Sequence, residues 1–163
     1  MIDNFIQLKK DDILRIGIKD IEGNDTGEHL EFDLTDIELP LLYQELLEKD
    51  KKHKAWLRNQ LLIIEKRQDV KGKKLLSKNE EDGLRALNDF FKKEKDLYNM
   101  FLGERGVEKL LNGRKLGWNS LEEIDEIIEK QILPYLDLSM TRITDKVKEK
   151  YSQAVSRNKE VLK

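Results

Sequence analysis

Residues 98–135 read YNMFLGERGVEKLLNGRKLGWNSLEEIDEIIEKQILPY, and this stretch decides the fold. It opens on the apolar end of one helix, with Leu97, Tyr98, Phe101 and Leu102 in phase. Gly103 is placed to stop that helix, because glycine accepts the left-handed backbone of a helix end without a Cβ penalty. A short helix follows, with Val107, Leu110 and Leu111 on its apolar side and Asn112-Gly113 as its terminator. Ser120-Leu121-Glu122-Glu123 then reads as a capping box that starts a long helix. Ile124, Ile127, Ile128, Ile132, Tyr135 and Leu136 carry its stripe, and Pro134, which lacks an N–H, is expected to kink or divide it. Trp118, just ahead of the cap, is expected to pack against Ile124 in the manner of a hydrophobic staple.

Upstream, Asn79-Glu80-Glu81-Asp82 reads as an N-cap with first-turn acids, opening a helix whose stripe is Leu84, Leu87, Phe90, Phe91, Leu97, Tyr98, Phe101 and Leu102. Before the basic loop Lys71-Gly72-Lys73-Lys74, another helical run holds Leu42, Leu46, Trp56, Leu57, Leu61 and Ile64, with Pro40 in its first turn. The middle of that run, Lys49-Asp50-Lys51-Lys52-His53-Lys54, is polar all round and predicts a solvent-projecting segment or a break between two helices. Nearer the start, Leu14-Arg15-Ile16-Gly17-Ile18 and Leu30-Glu31-Phe32-Asp33-Leu34 alternate with period two around a loop dense in turn formers. They predict a β-hairpin over about 12–35 that must lean on the helices, since an isolated hairpin is marginal in water.

After Ser139 the residues Ile143, Val147, Tyr151, Ala154 and Val155 keep helical spacing among Arg142, Lys146, Lys148, Lys150, Arg157, Lys159 and Lys163. This predicts a basic, partly exposed final helix. The fold class is therefore mainly α, a multi-helix domain with a small N-terminal antiparallel β-hairpin. The expected organisation is a helical domain over 1–140 and a basic C-terminal helix over 141–163 that depends on a partner.

Length and charge bound the function. A chain of 163 residues suits one core, and 39% charged against 38% hydrophobic residues suits long, exposed helices. The balance of 31 basic and 33 acidic residues, net −2, lacks the global basic field that drives nucleic-acid affinity. With no cysteine there is no thiolate chemistry, and the chain suits a cytosolic location. Residues 1–10 lack a basic region followed by an apolar stretch, so no secretory signal is expected, and no run is apolar enough to span a membrane.

The residues that could carry catalysis or bind metal are few. The usual candidates for acid–base work near neutral pH are only His29 and His53, and both read as surface residues without an orienting partner. Asp20, Glu22, Asn24 and Glu31 follow EF-hand spacing, but Asp25 stands where the loop needs glycine. Glu122, Glu126 and Glu129 share a helix face, with no Glu-x-x-His partner motif for a metal. A helix-turn-helix over 107–130 would present Leu121-Glu122-Glu123-Ile124-Asp125-Glu126 to phosphates and repel them. No catalytic residue, metal or cofactor is expected.

The order of hairpin, charged helices, the segment Tyr98-Asn99-Met100-Phe101-Leu102-Gly103-Glu104-Arg105-Gly106 with Val107-Glu108-Lys109-Leu110-Leu111, and a helix ending Ile132-Leu133-Pro134-Tyr135 resembles tail assembly chaperones of long-tailed phages of Gram-positive bacteria. The resemblance covers the second half of the chain in residues and the hairpin in architecture. It implies a non-enzymatic factor that works in the bacterial host cytoplasm and is absent from the mature virion. Its partner would be the tape measure protein, kept soluble until tail tube protein polymerises around it, and self-association would accompany this. The matching segment nominates Tyr98, Phe101, Leu102, Val107, Leu110 and Trp118 as groove residues for the partner. The alternative class is a small helical nucleic-acid-binding regulator of a phage or mobile element.

Overall fold

A computed structural model describes residues 12–161, together with Met1, Asn4 and Ile6; Lys163 and most of residues 1–10 lie outside the described residues. Strands β1 (Ile13–Lys19) and β2 (Asp25–Asp33) form an antiparallel hairpin with Leu14 opposite Phe32 and Ile16 opposite Leu30. The period-two pattern works as read: Ile18, Leu30 and Phe32 are buried on the inner face. The EF-hand-like spacing belongs to the hairpin loop, where Asp20 Oδ1 accepts the backbone N–H groups of Glu22 and Asn24, both at 2.9 Å. That carboxylate closes a turn.

Helices α1 (Glu38–Glu65) and α2 (Lys78–Leu102) form an antiparallel helical hairpin on which the β-hairpin leans. Pro40 lies in the first turn of α1, where its missing N–H costs nothing. The cap of α2 is Ser77 rather than Asn79: Ser77 Oγ accepts from Glu80 N and Glu80 Oε2 accepts from Ser77 N, both at 3.1 Å. Asn79 performs a different task. Its amide donates to Ile64 O and Arg67 O, both at 3.1 Å, so it satisfies carbonyls at the end of α1 from the first turn of α2. Gly103 ends α2 at φ 98° as the sequence requires.

Asn99 organises the next turn. Its Oδ1 accepts from Val107 N at 2.7 Å and its Nδ2 donates to Glu108 at 3.0 Å, which caps the six-residue helix α3 (Gly106–Leu111) from inside α2. Helix α4 (Trp118–Ile127) begins three residues earlier than the Ser120 box suggests. Gly117 N–H donates to Ser120 Oγ at 2.8 Å, so Ser120 works from the third helical position back onto the cap.

The helical run is divided just ahead of Pro134, although the helical hydrogen bonding continues through the division. A π-helical turn, Ile128–Ile132, joins α4 to α5 (Leu133–Val161), with Leu133 N–H donating to Ile128 O. The wider turn relieves the crowding between the Pro134 ring and the carbonyl four residues back. It also solves a spacing problem. Ile124, Ile128, Ile132 and Leu136 are all buried at four-residue intervals. A straight α-helix turns about 100° per residue and would rotate each of them about 40° further off the interface. Winding that turn more slowly holds the four on one face.

The core centres on α2, with Phe90 fully buried and Phe101 stacked between Phe32 at 5.8 Å and Tyr43 at 5.4 Å. Gly106 lies in this core because α3 crosses α2 closely: a Cβ there would stand 2.6 Å from Leu102 Cβ. Gly106→Ala therefore forces backbone to move and should cost about 1–3 kcal/mol, read as a lower urea midpoint with unchanged m-value. An unchanged midpoint would show that the crossing relaxes freely.

Candidate partner-binding surface

Two features stand out against this core: a polar cluster inside the α1–α2 interface and an uncovered apolar stripe on α5. The cluster begins with Glu94, which follows Phe90 by four residues, precedes Leu97 by three, and is fully buried. Its Oε1 is 2.8 Å from His53 Nδ1, and Lys54 Nζ is 2.8 Å from Asp50 Oδ2. The polar middle of α1 thus lies within one unbroken helix, and Asp50 and His53 turn inward from it. His53 is a half-buried partner of Glu94, contrary to the surface reading of the sequence.

Asp50 Oδ1 and Glu94 Oε2 are buried with no donor among the described side chains. One proton held between the two carboxyls satisfies both. Burial, and then Asp50 beside it, push Glu94 up to about 9, so it keeps that proton at neutral pH. Burial and the nearby Lys93 hold His53 below its ordinary range, so it is neutral. The tautomer with hydrogen on Nδ1 then donates to Glu94 Oε1, and the contact is a hydrogen bond rather than an ion pair. Lys54 neutralises the remaining charge of the carboxyl pair. Beside it Tyr98 donates to Asp125, whose carboxyl is raised by burial despite the bonds from Tyr98 and the charge of Lys54. These groups edge a narrow cleft of about 150 Å³ shared by Tyr43, Asp50, Tyr98, Asp125 and Glu129. Among the described residues no group of three His, Cys, Asp or Glu is placed to hold a metal ion.

The second feature lies on α5. Its first turns belong to the core: Leu136 is buried, and buried Ser139 donates from Oγ to Leu34 O at 2.5 Å. Arg142 pairs with Asp12, the last tie between the helix and the hairpin side of the body. Around and beyond it the apolar phase continues and becomes exposed. Met140, half-buried Ile143, Val147, Tyr151 and Ala154 follow at intervals of three or four, with Val147 62% and Tyr151 72% exposed among the described residues. A helix of 29 residues spans about 43 Å, so this half reaches well past the packed body. At its base Thr35 and Ile37 face Ile143, Lys146, Val147 and Lys150 across a groove of about 520 Å³ with an apolar wall and a charged rim.

The six nominated groove residues divide. Tyr98, Phe101, Leu102 and Val107 are each 3% exposed or less and build the core. Leu110 is half-buried against the same core. Trp118 keeps a large exposed face, 47%, and packs its ring on Phe90 at 5.3 Å and edge-on to Phe91 at 5.0 Å. It edges a second apolar groove with Leu57, Leu61 and Leu62. The stripe on α5 was visible in the sequence as residues in phase but was not nominated. Glu94 was missed, although an acid in phase with Phe90, Leu97 and Phe101 was its signal.

No protein-family model, no curated protein and no solved structure matches the chain. Among the described residues no helix is long and apolar enough to cross a membrane.

The shared proton has a measurable consequence. An acid whose folded pKa is raised contributes stability that is full below its unfolded value, near 4.5, and is lost as pH rises toward about 9. His53 acts in the opposite sense and only as pH falls below its ordinary 6.5, so pH 7–9 isolates the carboxyl pair. Glu94→Gln supplies the same donor and acceptor without titrating. Its urea midpoint should fall less than that of the wild type between pH 7 and pH 9; parallel profiles would refute the shared proton.

Proposed function

We propose that this chain is a non-enzymatic tail assembly chaperone of a phage or prophage that holds the tape measure protein in solution while the tail is built. The observation that carries the reading is the apolar stripe of α5, in phase over residues 140–154 and exposed at Met140, Val147 and Tyr151 among the described residues. Helix-in-groove recognition needs such anchors at i, i+3, i+4 and i+7 with polar residues around them. A long helical rod with an exposed apolar face is the kind of client that meets this surface. The resemblance of the segment around Phe101 to such chaperones supports the same reading, although its residues serve the core and the client surface lies downstream.

On this reading the protein acts in the host cytoplasm and leaves before the virion matures, handing its client to the tail tube protein. The exposed patch of Trp118, Leu61 and Leu62 is then available for self-association. Catalysis plays no part. The buried groups His53 and Glu94 serve the α1–α2 contact.

The test is affinity capture of the tagged chain from cells expressing the tail genes, with mass spectrometry and a solubility assay of the tape measure protein. The wild type should recover that protein and keep it in the supernatant. The double variant Val147→Glu, Tyr151→Glu should lose at least about 90% of the capture while its melting temperature stays within about 2 °C, because both side chains are exposed. Recovery of nucleic acid in place of any structural protein would support the regulator class instead.

A further inference from the structure

The charges flanking the exposed length of the α5 stripe are mainly basic. Lys146, Lys150 and Arg157 follow one another along one flank and Lys148 lies on the other, while Glu149 is on the opposite face of the helix; the acids at the base of the stripe are Asp145, which lines the groove there, and Asp12, which Arg142 holds. Among the described residues Arg142 is paired with Asp12, whereas Lys146 and Lys150 pair with no carboxylate. Flanking charges choose the partner of an apolar helical seam, because they meet across it when the seam is buried. A second copy would bring lysine to lysine in either orientation: parallel pairing sets the Lys146 flank against the Lys148 flank, and antiparallel pairing sets the Lys146 flank against itself. Like charges so placed oppose association. An anionic membrane would accept the lysines, but it favours a broad apolar face with Trp, Phe or Leu. This stripe is narrow and carries Met, Ile, Val, Tyr and Ala, with no Trp, Phe or Leu.

We infer that the stripe of α5 takes an amphipathic helix of another protein whose own apolar stripe is flanked by Asp and Glu, with Lys146 and Lys150 meeting those acids. The inference rests on the reading of α5 as a client surface and specifies the chemistry of the client segment. It assigns the stripe the affinity and the lysines the choice of partner. Because the rim is exposed, its share falls as salt rises.

The experiment uses the full chain and four probes followed by fluorescence anisotropy and flotation. Three are synthetic helical peptides of about six turns: a Leu/Ile stripe flanked by Glu, the same stripe flanked by Lys, and the Glu-bearing composition with its stripe scrambled. The fourth is a vesicle of mixed phosphatidylcholine and phosphatidylserine. The Glu-flanked peptide should bind at least about tenfold more tightly than the Lys-flanked one, equivalent to about 1.4 kcal/mol. Lys146→Glu with Lys150→Glu should reverse that order, and Val147→Glu should abolish binding of both. Equal binding of the two striped peptides, equal binding by the scrambled peptide, or preference for the vesicle would overturn the inference. So would a concentration-dependent dimer of the free chain that Val147→Glu dissolves. Capture of the tape measure protein without peptide discrimination would sink this inference and leave the chaperone reading standing. Discrimination without that capture would do the reverse.

Discussion

A carboxyl group buried in the middle of an otherwise apolar helix face has to be supplied with a proton and with donors, and α1 is built to supply them. Glu94 sits between Phe90 and Leu97 on the face of α2 against which α1, α3 and the β-hairpin all pack. A bare carboxylate there would carry a prohibitive desolvation cost. Asp50 shares its proton, His53 donates to its other oxygen, and Lys54 balances the charge. Replacing such a group by leucine and packing the gap is often neutral or stabilising, so the cluster is poor evidence of extra stability. What it does supply is register. Leucine against leucine tolerates slippage by a turn, whereas three polar groups line up in one alignment of α1 on α2. The caps support the same alignment from the far end, where Asn79 of α2 holds the last carbonyls of α1.

From that fixed pair the molecule divides its apolar residues between two uses. Those on α2, α3, α4 and the first turns of α5 close a core in which Phe90, Val107, Ile132 and Ser139 are essentially inaccessible. Those on the outer half of α5 have nothing to close against among the described residues. The change occurs within one helix, near Arg142, with no linker and no break. The body and the projecting half therefore share a rigid axis, and a partner that meets the stripe meets something whose direction is set by the core.

Much of this arrangement could be read from residue types alone. The hairpin followed from period two, the end of α2 from Gly103, and α3 from its two flanking turns, because each depends on local backbone chemistry. Other features depended on neighbours distant in the chain. Lys49-Asp50-Lys51-Lys52-His53-Lys54 looks solvated until a second carboxyl is known to face it. Asn79 has the composition of an N-cap, yet Ser77 takes that place and frees Asn79 for the end of another helix. Tyr98, Phe101, Leu102 and Val107 form an apolar cluster that could belong to a groove or a core, and only the packing of β2 and α3 over them decides for the core. The outer stripe was legible as a pattern; its exposure is decided by the packing of the rest of the fold.

The π turn at Ile128–Ile132 acts as a phase setting for everything after it. One additional residue in that turn rotates the whole of α5 about its axis relative to α4, by roughly the angle of one helical step. The compass direction of Val147 and Tyr151, and the side on which Lys146 and Lys150 stand, are thus determined some fifteen residues upstream, inside the core. A chain of the same stripe composition with an unbroken α-helix through residues 128–132 would aim that stripe elsewhere.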